Sequence, residues 1–416
     1  MKQATPKGMR LHIGLFGRRN VGKSSLLNAV TRQEVSIVSP QAGTTTDPVE
    51  KPMELLPLGP VVFIDTAGVD DIGALGAERI ARTHKVLERT DVGVIVTDGP
   101  WGPFERALHT QLDKGDIPVI VVFNKADRQT ADRAAAERLA EQGVPVIHAC
   151  APRREGTEAF REALLAVAPA DFLDAPRIVS DLVGSGGTAI LVVPIDKEAP
   201  KGRLILPQVQ SIRDLLDADA SCVVVTEHRL HDALENLRTP PRLVVTDSQA
   251  FEQVAAQTPP DVPLTGFSIL YARFKGDLVT QTLGTMAVDD LRPSDRVLVA
   301  EACTHHPVDD DIGRVKIPRW LQKRVGGELR FTTVQGRDFP DDLSPFKLVI
   351  HCGACMWNRR QMLSRILQCR RAGVPITNYG LVIAYSLGIF ERALQPFPEA
   401  MAAWRRARQG DLHVRS

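Results

Sequence analysis

Short apolar runs, each followed by a stretch with helical periodicity, recur along most of the chain. Besides the run that begins at Leu11, the apolar runs that predict buried strands lie at 61–64, 119–123, 145–148, 189–193, 222–226, 243–246, 297–300, 329–333 and 348–350. Helices are predicted near 208–217, 231–237, 249–257, 271–283, 316–325 and 361–371. Because strands that alternate with helices build parallel sheets with right-handed crossovers, the pattern predicts an α/β protein.

Two segments interrupt this alternation and divide the chain. Asp174-Ala175-Pro176 is typical of a linker, and the proline-rich segment 258–263 is typical of a hinge. At 416 residues the chain is also too long for a single hydrophobic core. We therefore predict three domains, at 1–172, 177–263 and 264–416, in which a larger α/β domain precedes two smaller α/β domains with mainly parallel sheets.

The strand that begins at Leu11 runs directly into a glycine-rich loop and then into a helix. The loop has the spacing GxxxxGK[ST], which defines a P-loop when a strand precedes it and a helix follows. In a P-loop, backbone N–H groups at the helix N-terminus surround the phosphates, the lysine reaches the β- and γ-phosphates, and the serine hydroxyl binds Mg²⁺. The predicted nucleotide contacts are Gly17, Asn20, Val21, Gly22, Lys23, Ser24 and Ser25.

Two later segments predict the rest of the phosphate and magnesium site. In the polar segment after the P-loop helix, Thr45 is the first choice, and Thr44 the second, for a threonine that completes the Mg²⁺ shell. Asp65 follows an apolar strand, where its carboxylate can hold Mg²⁺ through water while the Gly68 N–H senses the γ-phosphate. The predicted catalytic residues are Lys23, Thr45, Asp65 and Gly68.

A fourth segment predicts the base that is bound. The strand 119–123 leads into Asn124, Lys125 and Asp127, and Asp127 can accept two hydrogen bonds from N1–H and the exocyclic amine of guanine. Adenine presents neither group, and losing such a pairing costs roughly 10⁴–10⁵ in discrimination. Cys150 and Ala151 stand where a backbone N–H could reach the guanine O6. The sequence therefore predicts a GTP/GDP site.

Together these four motifs resemble the translation-factor-related GTPases. Asn20 in the P-loop, with the Gly-Thr-Thr-x-Asp segment that begins at Gly43, resembles the Era and TrmE branch. The resemblance implies that Asn20 helps to hold a potassium ion beside the phosphates. Val69 stands where Ras-like enzymes carry a water-positioning glutamine, so we expect slow GTP hydrolysis that potassium stimulates.

Charge and hydropathy argue against two classes of partner. The chain has 51 Lys and Arg against 50 Asp and Glu, a net charge of +1, so it carries no strong basic excess for binding nucleic acid. No apolar stretch is long enough to span a bilayer, and the apolar run near the N-terminus is too short for a signal peptide. We expect a cytoplasmic protein that binds neither nucleic acid nor membrane.

Three of the six cysteines gather in the last third of the chain beside histidines. Cys303 and His305 follow one predicted strand, and His351, Cys352 and Cys355 follow another, so both groups fall at the carboxyl ends of strands, where open α/β sheets bind ligands. Such residues can hold zinc or an iron–sulfur cluster, and the spacing alone leaves both open. A helix predicted to start just after the second group should lower the thiol pKa values.

An Era-like GTPase domain combined with the motifs Cys303-x-His305 and His351-Cys352-x-x-Cys355 resembles the HydF family of FeFe-hydrogenase maturation GTPases. The resemblance covers the whole chain. It implies a 4Fe-4S cluster on the three cysteines, a homodimer formed through the middle domain, and a scaffold that carries the diiron subcluster precursor. It also implies radical-SAM hydrogenase maturases that build the precursor's ligands and an apo FeFe-hydrogenase that accepts it. The alternative is a ribosome- or tRNA-associated GTPase with a structural zinc.

Three cysteines leave one iron of a cubane cluster without a thiolate. A weak ligand at that iron would allow cargo to be displaced, and the candidates are His305 and His351, with water, Asp309 or Asp310 as fallback. We prefer His305 because a Cys-x-His turn can point both side chains to one side. His351 directly precedes Cys352, and in an extended strand it would face away from that cysteine.

Overall fold

In the computed structural model the chain forms two compact units, Met1–Ala175 and Pro176–Ser416. The structure describes residues 6–18, 20–31, 49–55, 58–66, 85–128, 132–169, 172, 177–194, 204–302, 311–336 and 338–409. Within those ranges, no helix combines the length and the apolar character needed to cross a bilayer.

The first unit is built on a six-stranded sheet with the order β2-β3-β1-β4-β5-β6, in which only β2 runs antiparallel to its neighbour. Its elements are β1 Leu11–Phe16, α1 Lys23–Thr31, β2 Val49–Leu55, β3 Gly59–Asp65, β4 Val92–Thr97, α2 Pro103–Lys114, β5 Val119–Phe123, α3 Arg133–Glu141, β6 Val146–His148 and α4 Thr157–Val167. The central strands β1, β4 and β5 are buried at every position, as expected for parallel strands covered on both faces.

The second unit contains two four-stranded sheets, and every paired strand in them is parallel to its neighbour. The first has the order β10-β9-β7-β8 and is formed with α5 Ser180–Val183, β7 Thr188–Val192, α6 Leu206–Asp217, β8 Ser221–Val225, α7 Leu230–Asn236, β9 Leu243–Thr246, α8 Phe251–Gln257 and β10 Leu264–Gly266. The predicted hinge 258–263 therefore connects α8 to β10 inside this sheet. The three domain boundaries stay a prediction.

The last sheet has the order β12-β11-β13-β14. The elements of this part are α9 Phe267–Lys275, α10 Leu278–Thr285, β11 Arg296–Glu301, α11 Ile317–Val325, β12 Arg330–Gln335, β13 Leu348–His351, α12 Arg359–Arg371, β14 Ile376–Asn378, α13 Tyr379–Ser386, α14 Phe390–Leu394 and α15 Pro398–Arg408. A single turn of π-helix, Ile312–Lys316, precedes α11. The predicted fold class, a P-loop domain followed by α/β units with mainly parallel sheets, is confirmed.

One predicted helix, at 271–283, is wrong. The structure has two helices there, α9 and α10, separated at Gly276 and Asp277. The Asp277 side chain caps α10, because its Oδ1 accepts a hydrogen bond of 3.0 Å from the Thr280 N–H. Aspartate at a helix N-cap satisfies an N–H group that otherwise has no partner, which favours a new helix start over a continuous helix.

Candidate functional site

Two glycines shape the P-loop because no other residue fits their backbone. Gly17 has φ 144° and Gly22 has φ 95°. A Cβ atom on Gly17 would lie 2.1 Å from the Val96 carbonyl oxygen, and one on Gly22 would lie 2.2 Å from Asn124 Nδ2. Asn20 is left-handed as well, with φ 64°, a conformation that asparagine tolerates better than most residues. At these described positions the loop thus has backbone conformations that its glycines and asparagine permit.

The predicted magnesium and phosphate residues meet at the start of α1. Ser24 Oγ donates a hydrogen bond of 3.0 Å to Asp65 Oδ2, so the two predicted Mg²⁺ ligands lie side by side. Lys23 Nζ donates to the carbonyl oxygens of Gly17 at 2.6 Å and Arg18 at 2.9 Å, which holds the ammonium over the loop. Serine and carboxylate oxygens beside a cationic loop suit a Mg²⁺-bound phosphate.

Asn124 ties the P-loop to the base-binding side of the unit. Its Nδ2 donates to the Val21 carbonyl oxygen at 2.9 Å and lies 3.4 Å from that of Gly22, while its Oδ1 lies 3.4 Å from the Ala151 N–H. Lys125 Nζ donates to the Asn20 carbonyl oxygen and to Asp98 Oδ2. The first two residues of the base-reading motif therefore support the loop that holds the phosphates.

Cys150 affects the pKa of Asp127, which the sequence did not indicate. A hydrogen bond from the Cys150 side chain is the main reason that the pKa of the Asp127 carboxyl is lowered, with smaller contributions from Arg128 and Arg153. The Cys150 N–H donates to the Glu155 carbonyl oxygen at 3.2 Å, so it is already engaged. The Cys150 side chain thus helps to keep the predicted guanine-reading carboxylate ionised.

Several predicted residues of this site lie outside the described ranges. They are Thr44, Thr45, Gly68 and Val69, and their roles stay predictions.

The second candidate site lies at the carboxyl edge of the β12-β11-β13-β14 sheet. In register there, Glu301 pairs with Gln335, Ala300 pairs with His351, and His351 pairs with Asn378. All four strands therefore end next to one another. This is the edge where a parallel sheet binds its ligands, as the sequence predicted.

Cys352 lies in the middle of this edge and already accepts a hydrogen bond. The Ala302 N–H donates to Cys352 Sγ at 3.1 Å, and the Cys352 N–H donates to the Ala300 carbonyl oxygen at 2.9 Å. An N–H aimed at a cysteine sulfur stabilises the negative charge of a metal-bound thiolate. Both Cys352 and Cys355 are partly buried rather than enclosed.

The predicted lowering of the thiol pKa is wrong for Cys355. Burial raises the pKa of Cys355, and the hydrogen bonds of its backbone and the charge of Lys275 offset this only in part. The physical reason is position, since α12 does not begin until Arg359, with Asn358 as its N-cap. The effect of the partial positive charge at the N-terminus of α12 falls off within the first turn of the helix.

His351 is buried and uses both ring nitrogens. Nδ1 lies 2.8 Å from the Cys352 carbonyl oxygen, which can only accept, so this nitrogen carries the proton. Nε2 accepts from Arg365 Nη1 at 2.8 Å. Burial, and then the charge of Arg365, lower the pKa of His351 to about 3, so its ring is neutral. As a cluster ligand His351 would have to give up one of these bonds, which favours His305 of the two predicted histidines.

Arg365 was missed by the sequence reasoning. Its guanidinium lies 4.0 Å from the ring centroid of Trp357 and 4.4 Å from that of Phe339, and Nη2 donates to the Gly336 carbonyl oxygen at 2.8 Å. The helical spacing could have predicted that Arg365 is buried, because it lies on the same face of α12 as the buried Met362 and Cys369. Its guanidinium places a positive charge beside His351, the residue that precedes Cys352.

Cys303, His305, Asp309 and Asp310 lie outside the described residues. Among the residues that are described, no three His, Cys, Asp or Glu side chains group closely enough to hold a metal. The two half-buried cysteines Cys352 and Cys355, with a backbone N–H aimed at the Cys352 sulfur, supply only two of the three thiolates that the sequence predicts for a cluster. Cys369, predicted as a core residue, is fully buried, and burial raises its pKa to about 12.

Comparison with known families covers most of the chain. The hydrogen maturase F dimerization domain matches residues 178–276, and the hydrogen maturase F tetramerization domain matches residues 279–396. A 50S ribosome-binding GTPase family matches residues 12–125. The two maturase domains together cover more than half of the chain.

Individual relatives match the N-terminal unit. GTPase Der of Wolinella succinogenes is 41% identical over 133 residues, which is 31% of this chain and 28% of that protein. The tRNA modification GTPase MnmE of Burkholderia orbicola is 36% identical over 164 residues, or 38% of this chain and 34% of that protein. The chain thus spans about a third of the length of these relatives. The G domain of the T. maritima FeoB iron transporter is 24% identical, with a TM-score of 0.29, over 38% of this chain and 99% of that one.

Proposed function

The chain belongs to the hydrogen maturase F family, and on that basis we propose that it is a GTP-hydrolysing scaffold for hydrogenase maturation. In this proposal the chain holds a 4Fe-4S cluster and the diiron subcluster precursor, and delivers the precursor to apo FeFe-hydrogenase. The observation that carries the proposal is the pairing, in one chain, of a P-loop site with a cysteine site at the carboxyl edge of a separate sheet.

The N-terminal unit supplies the GTPase activity. Lys23, Ser24 and Asp65 would hold Mg²⁺ and the phosphates, and Asp127 would read the guanine. Hydrolysis is slow, because Val69 cannot position water as a glutamine would, and Ras with its glutamine manages only about 10⁻⁴–10⁻³ per second unaided. Potassium bound near Asn20 stimulates it by adding positive charge where the transition state becomes more negative.

The last part of the chain holds the cluster and acts as a scaffold rather than as a catalyst. Cys303, Cys352 and Cys355 are the proposed iron ligands, and His305 is the preferred ligand of the fourth iron. The Ala302 N–H and the positive charge of Arg365 support this assignment, since a cluster on three thiolates carries net negative charge. The precursor itself is cargo, received from radical-SAM maturases and passed to the hydrogenase.

The second unit carries the contacts between subunits. Its two matched domains are described as dimerization and tetramerization domains, which supports oligomerisation. We place the dimer contact within residues 177–263. In the β10-β9-β7-β8 sheet, β8 is an edge strand, and Val224 on it is 42% exposed, while Leu216 on α6 is 56% exposed. Exposed apolar side chains on an edge strand and on a neighbouring helix favour contact with a second chain.

Metal analysis with a visible spectrum of the anaerobically purified protein tests the proposal. Iron and sulfide with broad visible absorption are expected, and Cys352→Ser and Cys355→Ser should each lose them. Cys222→Ser is the matched control, because Cys222 lies on β8 in the other sheet of this unit, and it should keep its iron. One zinc per chain with no visible absorption would refute the scaffold and favour a ribosome- or tRNA-associated GTPase.

Delivery is tested separately. Protein on which the radical-SAM maturases have acted, mixed with apo FeFe-hydrogenase in a metal-free buffer, should give the hydrogenase hydrogen-evolving activity. Protein that the maturases have not treated should give the hydrogenase no activity. Equal activation by both samples would contradict the carrier role.

A further inference from the structure

Glu105 is a buried carboxylate of the N-terminal unit that has no part in the nucleotide site described above. It lies in the first turn of α2, and only 1% of the residue is exposed. Burying a charged carboxylate is costly unless a charged partner and hydrogen-bond donors surround it. The partners of Glu105 should therefore explain why a glutamate stands at this position.

Those partners are the guanidinium of Arg18 and the backbone of Gly102. Arg18 Nη2 donates to Glu105 Oε2 at 3.0 Å, and Arg18 Nε lies 2.9 Å from Oε1. The Gly102 N–H also donates to Oε2, at 2.9 Å. A guanidinium that meets both oxygens of one carboxylate is fixed in position and in orientation. The packing around the pair is close, because a Cβ atom on Gly102 would lie 2.8 Å from Arg18 Nη2.

Arg18 is part of the P-loop and directly follows Gly17. Its carbonyl oxygen accepts a hydrogen bond of 2.9 Å from Lys23 Nζ, and the Gly17 carbonyl oxygen accepts another of 2.6 Å. The residue whose main chain holds the Lys23 ammonium is therefore the residue whose side chain Glu105 holds.

The sheet brings these distant residues together. Arg18 and Glu105 are 87 positions apart, but β1 leads into the P-loop and β4 precedes α2, and the two strands pair with Phe16 opposite Ile95. The Arg18 side chain is 51% exposed, so water would solvate its charge without Glu105. Without this carboxylate, Arg18 would be free to leave its position, and the P-loop would lose its contact with α2.

We propose that Glu105 is a positioning residue for the P-loop: by pairing with Arg18, it keeps the loop and Lys23 ready for the phosphates before the nucleotide arrives. The inference rests on the proposed GTPase activity. A loop that is ready only part of the time binds with an affinity reduced by that fraction. Once bound, the phosphates themselves hold the loop. Loss of the pair should therefore raise the KM for GTP and the Kd for GDP more than it lowers kcat.

The test compares Glu105→Gln, Arg18→Met and the double variant in the full-length chain. Glu105→Gln keeps an oxygen for the Gly102 N–H, so it can still cap α2 while it loses the charge that holds Arg18. Glu137→Gln is the matched control, because Glu137 pairs with Arg133 on α3 of the same unit and both side chains are largely exposed. The Kd for GDP with Mg²⁺, and the KM and kcat for GTP, are measured for each protein.

Glu105→Gln and Arg18→Met should each weaken GDP binding about tenfold, which corresponds to about 1.4 kcal/mol. The KM for GTP should rise to a similar extent, with a smaller change in kcat. The double variant should also be about tenfold weaker, rather than a hundredfold, because both changes remove the same interaction. Glu137→Gln should bind GDP and hydrolyse GTP like the wild type.

A Kd for GDP within twofold of wild type in both single variants would overturn the inference and leave the proposed function intact. A double variant about a hundredfold weaker would overturn it as well, since Arg18 and Glu105 would then act independently. A fall in kcat with an unchanged KM would place their effect in hydrolysis, and would also overturn it. A wild-type chain that binds no GDP would refute the proposed GTPase activity, and this inference with it.

Discussion

Asn124 offers a sharp test of how the N-terminal unit holds its nucleotide. The side chain is 3% exposed and spans the gap between the P-loop and the segment at Ala151. Its Nδ2 donates to the Val21 carbonyl oxygen at 2.9 Å, so this amide supports the backbone of the P-loop. Replacing Asn124 with alanine should therefore loosen the phosphate-binding loop without removing any ligand to the phosphates.

The size of the effect follows from the hydrogen-bond lengths. Only the bond to Val21, at 2.9 Å, has an ordinary length, and the two contacts at 3.4 Å are too long to contribute much. Val21 is 2% exposed, so its carbonyl group would be left buried without this donor. Leaving one buried acceptor unsatisfied costs about 1–3 kcal/mol. A loss of about 2 kcal/mol on binding corresponds to roughly 30-fold weaker affinity for GDP.

Titration calorimetry with GDP and Mg²⁺ on the full-length chain measures this directly. Asn124→Asp is the informative second variant, because it keeps an oxygen for Ala151 but turns a carboxylate toward the Val21 carbonyl. Its affinity should fall below that of Asn124→Ala. Asn236→Ala serves as the control, since Asn236 makes one exposed bond within a helix of the other unit. It should bind GDP like the wild type.

Affinity within twofold of wild type in Asn124→Ala would refute this reasoning. Equal affinities for Asn124→Ala and Asn124→Asp would refute the part that assigns the effect to the Nδ2 donor.

Three further predictions concern the other proposed sites. Asn20→Ala should abolish the preference for potassium over sodium in GTP turnover, and an unchanged ratio of the two rates would contradict the potassium site. Leu216→Asp should convert the dimer into a monomer in sedimentation experiments, because it buries a charge in the proposed contact; a dimer that persists would place the contact elsewhere. Arg365→Met should lower iron retention several-fold, because His351 loses the hydrogen-bond donor that fixes its position next to Cys352. Arg365→Lys should restore part of the iron retention. Equal iron retention in the two variants would contradict the positioning role of Arg365.

The P-loop and its neighbours could be predicted from the sequence because their chemistry is local. Gly17 and Gly22 adopt backbone conformations that nearly exclude other residues, and Lys23 and Ser24 follow at a spacing that a helix N-terminus imposes. The strands before Asp65 and Asn124 are continuous apolar runs, so their carboxyl ends, and the residues placed there, follow from hydropathy alone. The same holds for Cys352, which follows the buried strand β13.

The tertiary structure decided which segments, far apart in the chain, contact one another. The effect of the Cys150 side chain on the pKa of Asp127 depends on how their two segments pack, and the burial of Cys355 outweighs a helix dipole that sequence position alone suggested. Arg365 reaches His351, next to Cys352, only because α12 packs on the sheet beside β13, and the sequence of neither element specifies that packing. Local spacing determines which groups a segment can offer, whereas packing determines which of them meet.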